Sequence, residues 1–162
     1  MVNSITDILM FTFSLVFYLL LTVIYILRAK NLSNTELKLA KIYSAQLIPF
    51  ILLWFVNLIE GRDTSRLIAG LPIILYLGYD FWYRLYTKKK PVHHPDKMPR
   101  ELIIYIILLQ IGSIGLNWYA YLISEVFGII MVVSYFVTMA AFSYYQYRYN
   151  QRKKPTPMEG LT

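Results

Sequence analysis

From Ile8 to Leu27 the chain runs for twenty residues without a single charge. A bilayer core of about 30 Å is crossed by roughly 20 apolar residues in helical form, so this stretch has the length and character of a membrane span. Arg28 and Lys30 stop it. The segment ahead of it carries Asp7 and no cation, its positive charge follows it, and no small-residue cleavage site is visible. It therefore reads as a retained span and not as a cleaved signal peptide.

Four further stretches follow the same logic. The second span covers about 42–59, and its helix is expected to start earlier. Ser33-Asn34-Thr35-Glu36 fits a capping box, with Ser33 as N-cap and Glu36 at N3, flanked by a Leu32–Leu37 staple. Pro49 inside that helix predicts a kink, because its ring removes one donor and crowds the preceding turn. The third span, about 66–84, contains Gly70, Pro72 and Gly78, with Asp63 or Thr64 as its cap. The fourth covers 102–123 after Pro99, which suits a first helical position. The fifth covers 126–146. Only Ser124-Glu125 separates these two, so they must form a tight hairpin; one merged helix of that length would run to about 68 Å.

Composition agrees. The chain is 57% apolar and only 15% charged, where roughly 25% charged is usual, which excludes a disordered chain, a collagen-like chain and an ordinary cytosolic enzyme. The fold class expected is all-α: a polytopic membrane bundle of five transmembrane helices forming a single integral membrane domain over 1–162. Segments 28–41 and 85–100 are its loops on one side, and 147–162 is a basic tail.

The cations set the sidedness. Fourteen of the sixteen Lys and Arg residues fall in the segments after spans one, three and five, and only Arg62 and Arg66 fall on the other side. By the positive-inside rule the N-terminus faces out and the C-terminus faces the cytoplasm, in a multi-pass protein of the plasma membrane. The net charge of +7 is thereby a topology signal, with anionic lipid headgroups as partners of the cytoplasmic loops. No folded basic face or motif points to nucleic acid. Aromatics follow the boundaries: Tyr25, Tyr43, Tyr79, Trp82, Tyr83, Tyr86, Tyr144, Tyr145, Tyr147 and Tyr149 toward the cytoplasmic side, and Trp54, Trp118, Tyr119 and Tyr121 toward the outer one. They read as interfacial anchors.

Polar groups inside the spans are where function is sought, because they are costly in hydrocarbon. Gln110, Ser113, Asn117, Tyr121 and Ser124 recur on one helical face that climbs roughly 21 Å. Gln46 and Asn57 share a face of span two, Ser134, Thr138 and Tyr145 one of span five, and Ser14, Tyr18, Thr22 and Tyr25 one of span one. Such residues are either packing glue, favoured further by Gly112 and Gly115 beside the stripe, or the lining of a polar pathway. In the pathway reading Asn57, Asn117 and Tyr121 form an outer layer, Gln110, Ser113, Ser134 and Thr138 a middle one, and Gln46 and Asp80 an inner one. Asp80 is the only ionisable residue well inside a span. It is either a proton or cation relay or counter-ion, or half of an i,i+4 pair with Arg84, with Gln46 as its best cross-helix partner. The pairing is the reading favoured.

No catalytic or cofactor chemistry emerges. His93 and His94 stand next to each other in a loop stiffened by Pro91, Pro95 and Pro99, with no further His or Cys to complete a metal shell. No histidine lies within a span to hold a haem, and the Gly112-Ser113-Ile114-Gly115 run has no intramembrane His or Lys to activate the serine. No cysteine means no disulfide and no thiolate. Neither a phosphate-binding glycine loop nor a carbonyl-filter sequence is present, and no inverted repeat is visible. The expectation is a non-catalytic accessory or structural subunit of a larger membrane complex, self-associating or joined to other subunits. The alternative is a small-molecule, lipid or ion binding or transport module; third comes a membrane enzyme that relies on a partner's residues. Cofactors expected: none.

Overall fold

The computed structural model describes residues 5–87 and 100–153; the His93-His94 loop, Pro91, Pro95, Pro99 and the end of the basic tail lie outside the described residues. Six helices account for almost all of it: α1 (Ile5–Ala29), α2 (Ser33–Ala45), α3 (Leu47–Ile59), α4 (Thr64–Thr87), α5 (Arg100–Ile123) and α6 (Glu125–Lys153). No strand occurs among the described residues. Among the described residues, four helical stretches are long and apolar enough to cross a membrane: Ile5–Ala29, Asn34–Ile59, Ile103–Ile123 and Glu125–Arg152. The protein is an all-helical membrane bundle.

Helices α2 and α3 are one rod broken at Gln46. Pro49 has no N–H for the carbonyl of Ala45, four residues back, and its ring crowds that position. The helix stops at Ala45 and restarts at Leu47, which is the kink the proline predicts. The capping box is not formed. Helix α2 begins at Ser33 itself with Leu32 in the cap position and no side-chain cap, and the Glu36 carboxylate instead takes the Arg28 guanidinium at 2.8 Å. An ion pair largely shielded from solvent is a better use of that carboxylate than one exposed backbone donor.

Two turns share one solution. After α1, Asn31 adopts φ +63°, with Leu32 N–H donating to Leu27 O and Asn31 N–H to Arg28 O. After α3, Gly61 adopts φ +62°, with Arg62 N–H donating to Asn57 O and Gly61 N–H to Leu58 O. Both are Schellman turns, which require the left-handed conformation that Gly and Asn tolerate. Between α5 and α6 a single residue, Ser124, reverses the chain. The Tyr121 ring folds back there onto Gly128, where a Cβ would lie 2.3 Å from it.

The rods form a closed ring. Each packs on its neighbour in sequence, and α1 closes the ring against α6. Short turns make the first three rods antiparallel in succession and α6 antiparallel to α5, and α5 runs against α4 with Arg66 beside Leu122 and Tyr76 beside Tyr105, so α1, α4 and α6 run the same way. Their starts mark what is called here the amino end of the bundle, and their finishes the carboxyl end. Phe17 and Tyr18, at the midpoint of α1, fill the centre together with Tyr43, Tyr76, Leu77, Leu109 and Leu116. Gly112 and Gly115 bring α5 close to α4: a Cβ on Gly115 would stand 2.5 Å from the Ala69 carbonyl oxygen.

Candidate functional site

The interior polar residues fall into three layers. At the amino end, Asp7 on α1 is 2% exposed and receives Arg66 Nη1 of α4 on both carboxylate oxygens at 2.8 Å. Arg66 Nη2 also donates to the Leu122 carbonyl near the end of α5 at 3.3 Å, so one guanidinium ties three helices. Tyr119 donates to Asp7 Oδ1 at 3.4 Å and accepts from Asn57 Nδ2 at 2.9 Å. At the rim, Thr6 donates to Glu60 at 3.0 Å and Glu60 pairs with Arg62 at 2.9 Å. That hydrogen bond raises Arg62 above its ordinary guanidinium value.

In the middle layer, Tyr18 of α1 donates toward the Ser113 carbonyl at 3.2 Å and Asn117 Oδ1 at 3.1 Å on α5. Gln110 Oε1 accepts from Tyr135 of α6 at 2.7 Å, and Thr22 and Thr138 join α1 to α6 through hydroxyls 2.8 Å apart. The hydroxyls of Ser14 and Ser134 turn back on their own helices, to the carbonyls of Met10 and Ile130.

Toward the carboxyl end, three tyrosine hydroxyls form a chain across the bundle. Tyr43 meets Tyr76 at 2.6 Å and Tyr76 meets Tyr105 at 2.6 Å, linking α2, α4 and α5. The chain runs across the bundle at one depth and not along it, so it clasps helices. One turn further on, Asp80 is fully buried. It takes Arg84 Nε at 2.9 Å on both oxygens and Ser44 Oγ at 2.5 Å. Arg28–Glu36 closes this end, with the Arg28 guanidinium 5.9 Å from the Tyr25 ring centre.

Of the residues picked out in the sequence, Asn57, Asp80, Gln110, Ser113, Asn117 and Thr138 each contact a neighbouring helix or a partner in the interior. Four depart from the layered scheme. Asn117, expected in the outer layer, meets Tyr18 in the middle one. Tyr121 is 46% exposed and lies on Gly128, outside the polar layers. Ser134 bonds only its own helix. Asp80 finds its cross-helix partner in Ser44, and not in Gln46, whose buried Oε1 has no hydrogen-bond partner. Asn57 Oδ1 is the other such atom among the described residues.

Sequence reasoning missed the Asp7–Arg66 fork and the tyrosine chain. Asp7 and Arg66 sit at span ends on the same side of the expected alternation, a signal that was available. Tyr43 and Tyr119, read as interfacial anchors, are both 1% exposed; a phenol that finds an interior hydroxyl partner is better satisfied there than at a boundary. Among the described residues no group of three His, Cys, Asp or Glu side chains is arranged to hold a metal. No family, curated protein or solved structure matches the chain.

Proposed function

We propose that the chain is a five-span integral membrane protein, N-terminus out and C-terminus cytoplasmic, that serves as a non-catalytic subunit of a larger membrane assembly. One observation carries this reading. Most interior polar groups are held by one another, many of them across helices in fork, clasp and amide pairs, while the flanks of the bundle are left apolar. Interhelical polar pairs of this kind hold bundles together, and they leave little chemistry free for a substrate.

The fifth span is α4. Its charges, Arg66, Asp80 and Arg84, keep it from reading as a simple apolar segment, but each is paired. It lies along α5 from Arg66 beside Leu122 to Tyr76 beside Tyr105, which supports a full crossing. The expected partners are other membrane subunits or further copies, and anionic headgroups at the basic end. Gentle detergent extraction followed by sizing should give a particle larger than the 19.1 kDa chain with its micelle. A stable lone chain after native-lipid extraction contradicts the subunit reading.

A second reading, binding or transport of a small polar solute through the interior, is favoured by the two unpaired buried oxygens, Gln46 Oε1 and Asn57 Oδ1. An unsatisfied buried acceptor costs about 1–3 kcal/mol, so a guest that donates to them would be welcome. Gln46→Met separates the two. A rise in melting temperature means that the acceptor is idle, and a fall with loss of uptake favours transport.

A further inference from the structure

One exposed face of α6 is ordered along its length like a phospholipid. Val133, Phe136 and Val137 are 56%, 65% and 53% exposed. A turn or two on come the phenols Tyr144 and Tyr147, 44% and 58% exposed. Beyond them on the same stripe is the exposed Arg148; Arg152, also exposed, lies one turn further on and about 100° round the helix from Val133, on the side where Tyr145 faces Tyr25 of α1. Hydrocarbon, then amphipathic rings, then fixed positive charge is the vertical order of acyl chain, ester region and phosphate. The run from Val133 to Arg148 rises about 22 Å at 1.5 Å per residue.

The top of this face adjoins a second helix end. The Arg152 Nη2 group hydrogen-bonds the Ala29 carbonyl, which places it against the last turn of α1, and the next residue, Lys30, is exposed. Lys30, next in sequence to Ala29, and Arg148, one turn before Arg152, thus stand at the same end of the α1–α6 seam, and none of the three is ion-paired to a described carboxylate. Glu36, the acid nearest in sequence to this turn, is committed to Arg28.

We propose that this seam is a site for an anionic phospholipid, its phosphate held by Lys30, Arg148 and Arg152 and its chains laid along the exposed stripe of α6. The site sharpens the headgroup contact proposed above into three residues. It rests on membrane embedding and not on sidedness, so a reversed orientation would leave it intact. An acidic protein partner fits less well, because the basic cluster continues directly into lipid-facing apolar surface.

The experiment uses the full chain in detergent micelles, titrated with phosphatidylglycerol, with phosphatidylcholine, or with glycerol 3-phosphate alone, and reads the shift in melting temperature. Phosphatidylglycerol should protect and the other two should not. Three cations at about 1 kcal/mol each predict that Lys30→Gln/Arg148→Gln/Arg152→Gln weakens the protection on the order of 100-fold. Lys38→Gln/Lys41→Gln/Arg100→Gln, with equal loss of charge, should keep it. Equal losses in the two triple variants overturn the site in favour of diffuse attraction. Protection by glycerol 3-phosphate alone overturns the acyl-chain half of the proposal, and no preference for phosphatidylglycerol overturns all of it. Should the seam variant unfold, Lys30→Arg with Arg148→Lys and Arg152→Lys keeps the charge and must keep the protection.

Discussion

The two ends of the bundle carry the same kind of ion pair and use it differently. At the amino end Asp7 and Arg66 come from different helices, 59 residues apart, and Arg66 is 11% exposed in its side chain. At the carboxyl end Asp80 and Arg84 lie one turn apart on α4, and Arg84 is 20% exposed. The first pair binds helices to each other; the second mostly settles a charge within one helix and leaves Ser44 to make the cross-helix link. The ends also differ in what remains. Both amino-end cations are paired, whereas at the carboxyl end Lys30, Lys38, Lys41, Arg100, Arg148 and Arg152 have no described carboxylate partner. One end is closed on itself, and the other is open to anions.

The largest effect is expected at the Asp7–Arg66 pair. Arg66→Met should leave a buried carboxylate without its partner and cost about 3–5 kcal/mol, read as a large drop in melting temperature. The double variant Asp7→Leu/Arg66→Met should recover most of it. Asp80→Asn should cost less, about 1–2 kcal/mol, because Ser44 can still donate to the new amide oxygen and Arg84 can extend toward the headgroups. If Asp80→Asn proves as damaging as Arg66→Met, the distinction between the ends fails.

Packing separates the regions further. Gly115→Ala drives a methyl into the Ala69 carbonyl, a backbone atom, and should cost about 1–3 kcal/mol. Gly78→Ala meets nothing within 4 Å and should gain up to about 1 kcal/mol from helix propensity. Tyr76→Phe removes the central hydroxyl of the tyrosine chain and both of its bonds. At about 0.6 kcal/mol for each membrane hydrogen bond, the loss should be about 1 kcal/mol, and Tyr105→Phe should lose roughly half of that. Thermal unfolding in one detergent ranks these four.

Much of the architecture was legible in the sequence because hydrocarbon thickness leaves a direct mark on it. Uncharged runs, the proline at 49 and the two-residue gap at 124–125 account for the helices, the break and the hairpin. Partner choice was not legible. A tyrosine looks the same in sequence whether its hydroxyl meets water at a boundary or another hydroxyl inside, so Tyr43, Tyr105 and Tyr119 gave no sign of their networks. Glu36 looked like a capping residue because capping is read from local spacing, while its pairing with Arg28 depends on the turn at Asn31 folding α2 back along α1. Asp80 was visible because it stood alone in a span, but its partner Ser44 lies on a helix whose register no spacing rule supplies.

In the proposed topology, five crossings place the closed end outside and the open, basic end in the cytoplasm. The chain has no cysteine of its own, so single cysteines at chosen turns report their side directly. In intact cells a membrane-impermeant maleimide should label Asp63→Cys, and should label Asn31→Cys and Asn150→Cys only after permeabilisation. Labelling of Asn31→Cys and Asn150→Cys from opposite sides would remove α4 as a span, and protection of Asp63→Cys with both others labelled would invert the protein.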